Sequence, residues 1–337
     1  MMKTGLMKLL TSAIILLFIS IAYAPSITAN NPISVKTIYV DDDNVDGPWD
    51  GSEEFPFQTI HDGVNASSDG DTVFVRSGSY QDYEIMILTS IDLIGEDKTT
   101  TIIEEGQIIL LRGSISSISS LTMNHCSVIS ENQDYVEIFD NNIDGGIQII
   151  DTLDAYVHNN NVSNTDGTEP GIKINGTGYT ITKNRVTSGD CGIEIFGNNN
   201  LISDNIITDN RDDDNGYGIF LNGDSNTITN NHIANNIIGI RLHSAIDNKI
   251  ERNNFIRNNN HVYFAGMLDE LGQYKNKWDY NYWSGFILRW IFPKLIVGLG
   301  LIVIPGPGDL IFWIPFPLIQ VDWHPANKPY DISIPEV

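Results

Sequence analysis

Apolar and polar positions alternate in short runs along most of the chain, and one run recurs many times. It is a hexapeptide with an apolar residue, two mostly polar residues, asparagine, any residue and a second apolar residue. Ile202–Ile207 (ISDNII) and Ile228–Ile233 (ITNNHI) are examples. Alternation with a period of two over so few residues is typical of β-strands that bury one face. The hexapeptide asparagines are residues 124, 141, 160, 184, 205, 231, 253 and 281.

A second motif, glycine-apolar-any-apolar, lies between successive hexapeptides. A unit of about 22 residues is too short to bury an apolar face alone, so the units must stack with their strands paired in parallel. The pattern therefore predicts an all-β fold, a right-handed parallel β-helix or solenoid. The recurring asparagine predicts a ladder of side-chain hydrogen bonds between coils. The second motif occurs at residues 146–149, 171–174, 192–195, 218–221 and 239–242.

Three stretches of the sequence carry a resemblance to a known family. They are Thr37–Gly51 (TIYVDDDNVDGPWDG), Gln58–Tyr80 and the Asn-Tyr-Trp at 281–283. They resemble the pectin-lyase-like superfamily and, within it, the parallel β-helix repeat proteins of the NosD type. The resemblance spans roughly residues 37–285 and implies the right-handed β-helix fold. It implies little about activity, because one fold hosts many functions.

The first residues are typical of a secretory signal rather than of the fold. Lys3 and Lys8 precede the apolar run Leu9–Ala24, and small residues follow it. This arrangement predicts a signal peptide and a secreted, periplasmic or cell-surface protein, with an uncleaved signal anchor as the alternative. The predicted organisation is a signal peptide (1–29), an N-terminal segment with a capping helix at 56–66 (30–71), a parallel β-helix (72–285) and a C-terminal apolar hairpin and tail (286–337).

The C-terminal segment contains two apolar arms, Leu295–Ile304 and Leu310–Ile319, separated by the turn Pro305–Asp309. Each arm is too short for a membrane helix, and two prolines interrupt the second arm. The segment therefore predicts an extended hairpin that folds back over the last coil. Membrane contact through residues 286–319 stays open as an alternative, because neither arm carries a charged residue.

The chain is strongly acidic, with 19 Lys+Arg against 43 Asp+Glu and a formal net charge of −24. Such a surface repels phosphate backbones, so we expect no nucleic-acid partner. The two cysteines, Cys126 and Cys191, fall three coils apart in the repeat. That separation exceeds what a disulfide allows. The sequence therefore predicts two free thiols, with Cys126 buried.

A calcium loop is the first candidate site. Asp42, Asn44 and Asp46 precede a glycine in the spacing of an EF-hand loop, and Glu53 falls at the twelfth position. Asp50 is placed to bind the ion through a water molecule. A strand rather than a helix precedes the loop, so a polar turn without an ion is the alternative. Calcium is the one cofactor that the sequence suggests.

The second candidate site lies on loops between the hexapeptides and the glycine motifs. Two of these loops are longer than the others, 160–171 and 205–218, and should project from one side of neighbouring coils. Carboxylates and a tyrosine on one face suit a cation or a sugar. The predicted carbohydrate-binding residues are Asp166, Glu169, Asp190, Asp212, Asp213 and Tyr217.

The same face partly resembles the polygalacturonase family, which shares the fold. Asn164-Thr165-Asp166 matches its first motif, and Gly189-Asp190-Cys191 matches the second except for the cysteine. The resemblance implies Asp166 and Asp190 as the catalytic carboxylates of a glycoside hydrolase. Gly216-Tyr217-Gly218 lacks the histidine of the third motif, which places hydrolysis in doubt.

These features favour a non-catalytic protein that binds a polysaccharide or cell-surface glycan, or that has a structural role. The first alternative is a polysaccharide-degrading enzyme, either hydrolase or lyase, of the pectin-lyase-like type. The second is a periplasmic metal-handling accessory protein, which the NosD resemblance suggests. That role needs clustered imidazole or soft ligands, whereas the seven histidines are spread along the chain.

Overall fold

The computed structural model describes residues 35–111, 115–164, 169–187, 189–211, 216–267, 276–286, 292–305 and 311–333. The predicted signal peptide, residues 1–29, lies outside these ranges. The described residues contain thirty β-strands and one short α-helix. The strands wind into coils with three faces, and each strand pairs in parallel with its counterpart one coil further along.

The first face begins the coils, and its strands are short. It consists of β1 (Thr37–Val40), β2 (Thr72–Val75), β5 (Asp92–Gly95), β7 (Ile115–Ser119), β9 (Tyr135–Phe139), β12 (Ala155–His158), β15 (Thr180–Thr182), β18 (Leu201–Ser203), β21 (Thr227–Thr229), β24 (Lys249–Glu251) and β27 (Lys277–Asp279).

The second face follows the hexapeptide asparagines. It consists of β3 (Gly78–Tyr80), β10 (Asn142–Asp144), β13 (Asn161–Ser163), β16 (Arg185–Thr187), β19 (Ile206–Thr208), β22 (His232–Ala234), β25 (Asn254–Ile256) and β28 (Tyr282–Trp283). Two long strands, β6 (Thr101–Leu111) and β8 (Thr122–Glu131), continue from this face into the third.

The third face carries the glycine motifs and has the longer strands. It consists of β4 (Glu84–Ile87), β11 (Ile147–Ile150), β14 (Ile172–Asn175), β17 (Cys191–Phe196), β20 (Tyr217–Asn222), β23 (Ile238–His243), β26 (Asn260–Met267) and β29 (Lys294–Pro305). The last strand, β30 (Ile311–Asp322), pairs antiparallel with β29.

The register stacks like residues on one another inside the solenoid. Ile181, Ile202, Ile228 and Ile250 lie opposite each other on four successive strands of the first face, and each is fully buried. β-Branched side chains suit such a pleated surface. The predicted all-β parallel solenoid is confirmed.

The predicted asparagine ladder is confirmed for seven of the eight positions. Each of these side chains is buried, and each amide nitrogen donates to the next side-chain oxygen at 3.0–3.2 Å. The ladder ends on a carboxylate, because the amide of Asn281 donates to Asp322 Oδ2. The ladder residues are Asn141, Asn160, Asn184, Asn205, Asn231, Asn253 and Asn281.

The eighth position, Asn124, was predicted wrongly. Its side chain donates to Glu104 Oε2 at 3.1 Å on the strand beside it and does not join the ladder. Leu121 occupies the ladder position instead, and its backbone N–H donates to Asn141 Oδ1 at 3.1 Å. The true repeat frame of this coil is therefore three residues earlier, at Ile118–Met123.

Two further asparagine ladders run beside the first, and neither is among the features predicted from the sequence. Five residues before the main ladder, Asn226 donates to Asn248 and Asn248 donates to Asn276. Five residues after it, Asn210 donates to Asn236. The bends of the coil are therefore fastened by the same amide chemistry. The additional ladder residues are Asn200, Asn226, Asn248 and Asn276 on one line and Asn210, Asn236 and Asn258 on the other.

The N-terminal end carries the helix α1 (Ile60–Asn65), which is shorter than the predicted 56–66. Thr59 starts the helix, because its hydroxyl accepts a hydrogen bond from the Asp62 backbone N–H at 3.1 Å. Ile60 and Val64 are buried, whereas Phe57 lies before the helix and is partly buried. The strand β1 pairs with β2, so the solenoid begins before residue 72.

The C-terminal arms form an antiparallel hairpin of two 12-residue strands, β29 and β30. β29 continues the third face by pairing with β26, and β30 touches the first face where Asp322 lies opposite Trp278. The base of the hairpin therefore covers the last coil. No helix in the described part of the chain is long and apolar enough to cross a membrane.

Both cysteines are free and Cys126 is buried, as predicted, and Cys191 is buried as well. Burial raises the pKa of Cys126 to about 12. Burial also raises the pKa of Cys191 well above its ordinary value. Both groups are therefore neutral thiols at physiological pH, which argues against a nucleophilic role.

Candidate functional site: a groove on the third face

A column of polar and aromatic side chains runs across five coils of the third face. In each glycine motif the residue between the two apolar positions points outward, because strand residues alternate between faces. The register places Lys173, Glu194, Phe220, Arg241 and Tyr263 opposite one another on β14, β17, β20, β23 and β26. The first four of these residues lie in the glycine motifs of the sequence, whereas Tyr263 does not, and the motif alone does not predict that they form one surface.

A groove of about 460 Å³ runs along this column. Phe196 lies beside it, with its ring 5.7 Å from that of Phe220, and His243 stacks on Phe220 at 6.1 Å. The groove therefore has an aromatic floor. Its lining residues are Glu169, Pro170, Lys173, Asp190, Cys191, Glu194, Phe196, Tyr217, Phe220, Asn222, Arg241 and His243.

Arg241 is the central cation of the groove. Its guanidinium carbon lies 5.0 Å from the ring centre of Tyr217 and 5.8 Å from those of Phe220 and Tyr263. Its Nη1 donates to the Tyr217 hydroxyl. Arg241 forms no ion pair with any residue in the described ranges. Aromatic rings thus hold the guanidinium in place, and no carboxylate among the described residues pairs with it.

Lys173 and Glu194 form an ion pair in the groove. The Lys173 ammonium lies 3.4 Å from Glu194 Oε2, and both side chains remain partly exposed. Because the pair is open to solvent, it contributes little to stability. Both groups are therefore available to exchange partners with the hydroxyls or carboxylates of a ligand.

The structure brings together three of the six predicted carbohydrate-binding residues. Glu169, Asp190 and Tyr217 line the rim of the groove on successive coils, with Tyr217 almost fully buried. Asp166, Asp212 and Asp213 lie outside the described residues. The predicted catalytic pair, Asp166 and Asp190, is therefore described only at Asp190.

A smaller cavity of about 220 Å³ adjoins the groove at Glu169, which lines both. His125 Nε2 lies 4.0 Å from Asp144 Oδ2 on its wall. Asn164 is buried there and donates to the Glu169 backbone oxygen at 2.7 Å. The groove and this cavity together give one side of the solenoid a continuous polar depression.

The predicted calcium residues lie near the first coil, away from the groove. The Asp42 carboxylate accepts a hydrogen bond from Ser79 N at 3.0 Å, and that of Asp50 accepts one from Ser52 N at 2.9 Å. The Asn44 amide nitrogen donates to Pro56 O at 2.7 Å. Asp46 and Glu53 complete the set, and calcium binding at these residues stays a prediction.

Across the described residues, no group of three or more His, Cys, Asp or Glu side chains is placed to hold a metal ion. His158 pairs with Glu137 at 2.9 Å rather than with another histidine. His232 lies elsewhere, and burial lowers its pKa. The metal-handling alternative stays a prediction.

Residues 145–268 match the family described as "Right handed beta helix region". No curated protein matches the sequence. Among solved structures, the chain is 15% identical to a Geobacillus virus E2 protein, ORF18, with a TM-score of 0.47; the match covers 82% of this chain and 63% of that one. This chain therefore spans less than two thirds of the viral protein.

Two carbohydrate-active enzymes are also similar. The A-module of mannuronan C-5 epimerase AlgE4 from Azotobacter vinelandii is 15% identical with a TM-score of 0.45, over 72% of this chain and 86% of that one. Pectate lyase Pel9A is 13% identical with a TM-score of 0.36, over 70% and 76%. Likenesses this distant say nothing about activity. The family match identifies residues 145–268 as a right-handed β-helix region, so the solenoid is right-handed.

Proposed function

We propose that this chain is a non-catalytic carbohydrate-binding protein that holds a segment of polysaccharide in the groove of the third face. One observation carries the proposal: aromatic rings and charged side chains from four adjacent coils line a single open groove of about 460 Å³. The signal-like residues 1–29 support export, so the ligand would be met outside the cytoplasm.

The chemistry of the groove fits a sugar chain. Phe196 and Phe220 provide apolar faces on which the C–H side of a pyranose ring can lie. Lys173, Glu194 and Asp190 provide donors and acceptors for hydroxyl groups. A few polar groups placed around an apolar floor are typical of small-molecule and saccharide sites.

Arg241 favours a sugar that bears a carboxylate. Guanidinium groups bind carboxylates through two parallel hydrogen bonds, and Arg241 has no such partner within the described residues. We therefore expect uronate-containing polymers to bind more tightly than neutral ones.

The proposal is tested by incubating the protein with acidic and neutral polysaccharides, with calcium or with chelator, and running each mixture on a sizing column. Co-elution without shortening of the polymer supports a binding protein. Failure to co-elute with any polymer would contradict the proposal and leave a structural role as the best account.

Variants localise the binding. Arg241→Ala and Phe220→Ala should each weaken binding of an acidic polysaccharide about tenfold or more, since each removes a contact worth about 1.4 kcal/mol. Phe139→Ala is the matched control, because Phe139 is a half-buried outward aromatic on the first face. If all three variants bound the acidic polysaccharide with the same affinity, the ligand would have to bind outside the groove.

A polysaccharide-degrading enzyme is the second candidate, because the carboxylate-bearing Asp190 lies on the groove rim. Shortened polymer in the same sizing experiment would support it. Asp190→Asn should then abolish the shortening while polymer still co-elutes, since the substitution removes a proton-transfer group but little volume.

We further propose that calcium stabilises the first coil through the loop that contains Asp42, Asn44, Asp46, Asp50 and Glu53. The spacing of the loop supports this proposal. The test is thermal unfolding of the protein in calcium and in chelator, without polysaccharide. A higher thermal midpoint with calcium supports the loop, and identical midpoints would contradict it.

A further inference from the structure

The C-terminal hairpin has two faces of different exposure. Ile296 and Leu318 point into the molecule and are 4% and 7% exposed. On the opposite face, Leu295 is 53%, Val297 58% and Ile319 57% exposed. We call this opposite face, formed by Leu295, Val297, Leu299, Pro317, Ile319 and Val321, the outer face of the hairpin.

The outer face is uninterrupted by charge. Val297 lies directly opposite Ile319, and Leu295 opposite Val321. Between Lys294 and Asp322 the sequence holds one charged residue, Asp309, in the turn between the arms. A contiguous apolar surface of this kind on an otherwise acidic protein marks an interaction site.

Exposed aromatic residues lie at the base of the hairpin. Trp323 directly follows β30 and is 67% exposed, and Phe292 lies two residues before β29 and is 56% exposed. Tryptophan is enriched where protein meets the boundary between lipid and water. The base of the hairpin thus combines an apolar face with an aromatic rim.

The free edge of the hairpin bears two prolines. β30 pairs with β29 along its length, and its other edge meets a described strand at Asp322 alone. Pro315 and Pro317 lack backbone N–H groups. With both residues facing the free edge, none of the backbone hydrogen bonds between β30 and β29 is lost. That edge therefore has two fewer donors to satisfy and is a poor template for another strand.

We propose that the outer face of the β29–β30 hairpin docks on the surface of a lipid bilayer. A second copy of the chain is the less suitable occupant, because two molecules that each carry a charge of −24 repel one another. Zwitterionic lipid presents no such repulsion. The prolines act in the same direction, since they disfavour strand pairing between copies and lower the cost of placing the free edge near lipid.

The hairpin lies in the membrane interface and does not cross it. A two-stranded hairpin has an open edge, and unpaired backbone groups are too costly in the hydrocarbon region. At the interface water still reaches those groups while the apolar face is buried. The solenoid and its groove stay in water.

The test is flotation of the full chain with phosphatidylcholine vesicles in a density gradient. Wild type should float with the vesicles. Val297→Asp combined with Ile319→Asp should lower the bound fraction at least about tenfold, because it places two charges on the docking face. Leu153→Asp is the matched control, since Leu153 is an exposed apolar residue on the solenoid, and it should float like wild type.

A milder pair, Val297→Thr with Ile319→Thr, keeps the β-branched shape in case the aspartates prevent folding, and it should float less than wild type. Wild type that stays at the bottom of the gradient, or variants that all float equally, would overturn the proposal. A lipid-free dimer that the Val297 and Ile319 substitutions dissociate would also overturn it and assign the face to a second copy.

Discussion

Each ladder asparagine uses both ends of its amide. Asn231 donates to Asn253 Oδ1 at 3.0 Å and to the Ile202 backbone oxygen at 2.8 Å, and its own Oδ1 accepts from the Asn205 amide at 3.0 Å. Neither the shorter serine nor the acceptor-only aspartate can reproduce this set. The ladder therefore makes a fully buried polar residue compatible with an apolar interior.

Replacing one ladder residue should be costly. Asn231→Ala removes the donor to the Ile202 carbonyl and to Asn253 Oδ1. It also removes the oxygen that accepts from the Asn205 amide and from the Asn205 backbone N–H, and each buried group that loses its partner costs about 1–3 kcal/mol. We expect the free energy of unfolding in urea to fall by about 3 kcal/mol or more. Asn259→Ala is the control, because that side chain is exposed, and a similar loss for both variants would contradict this account.

The three asparagine ladders differ in how clearly the sequence pattern identifies them. The main ladder was visible because its asparagine sits between two apolar positions at fixed spacing. The other two ladders also had a signal: asparagine recurs every five residues at 200, 205 and 210, at 226, 231 and 236, and at 248, 253 and 258. Their flanking residues vary because they lie at bends, so the apolar frame does not identify them.

At the level of strands, the register decides which residue fills a position. The stretch Leu121–Cys126 has the hexapeptide pattern, yet β8 runs from the second face into the third without the usual break and places Asn124 beside Glu104. Only pairing with the next coil identifies Leu121 as the ladder residue. A pattern within one strand cannot report this, because register is a property of two strands.

The groove was predicted only at its rim for a similar reason. Glu169 lies in a long acidic loop and Asp190 in the short loop of the next coil, where carboxylates are conspicuous in the sequence. Phe220 and Arg241 instead lie in the middle of strands. Outward positions of a strand are usually solvated, so one such residue carries no signal. Their stacking in register across coils produces the surface.

The free edge of β30 leads to a prediction at the same scale. Replacing Pro315 and Pro317 with valine restores two outward N–H groups and raises β propensity. We expect this double variant to form dimers or larger species that light scattering detects after size-exclusion chromatography. Pro329→Val, in the exposed tail, is the control. A double variant that stays in the same state as wild type would show that the prolines do not protect the edge.

At the scale of the molecule, the hairpin closes the solenoid through one carboxylate. Asp322 Oδ2 accepts from Asn281 N and Trp283 Nε1, both at 3.0 Å, and from the Asn281 amide at 3.2 Å. The Asp322 side chain thereby stands where the next coil would supply an asparagine. The end of the fold is fastened through the same contacts that join the coils.

This closure should depend on pH. Burial raises the pKa of Asp322, and hydrogen bonds from Trp283 and Asn281 only partly offset it. Protonation therefore favours the folded chain. The stability contributed by Asp322 is fully present below the unfolded pKa of about 3.9 and is lost as pH rises through the higher folded pKa.

The measurement is the free energy of unfolding of wild type minus that of Asp322→Asn, from about pH 3.5 up to neutrality. The difference should be largest at the acid end and should decrease as pH rises. The contributions of the other carboxylates cancel, because both proteins contain them. A difference that is flat with pH, or that grows toward neutral pH, would contradict the raised pKa.

The main ladder also gives the molecule an electrical direction. Every amide in it has its oxygen toward the preceding coil and donates one N–H to the oxygen of the following one, from Asn141 to Asn281. Aligned bond dipoles add along a line, as they do in a helix. A backbone N–H from Leu121 meets the negative end, and the carboxylate of Asp322 meets the positive end. The two ends are thus not interchangeable: a coil can be added in one orientation only, and the last coil requires an acceptor.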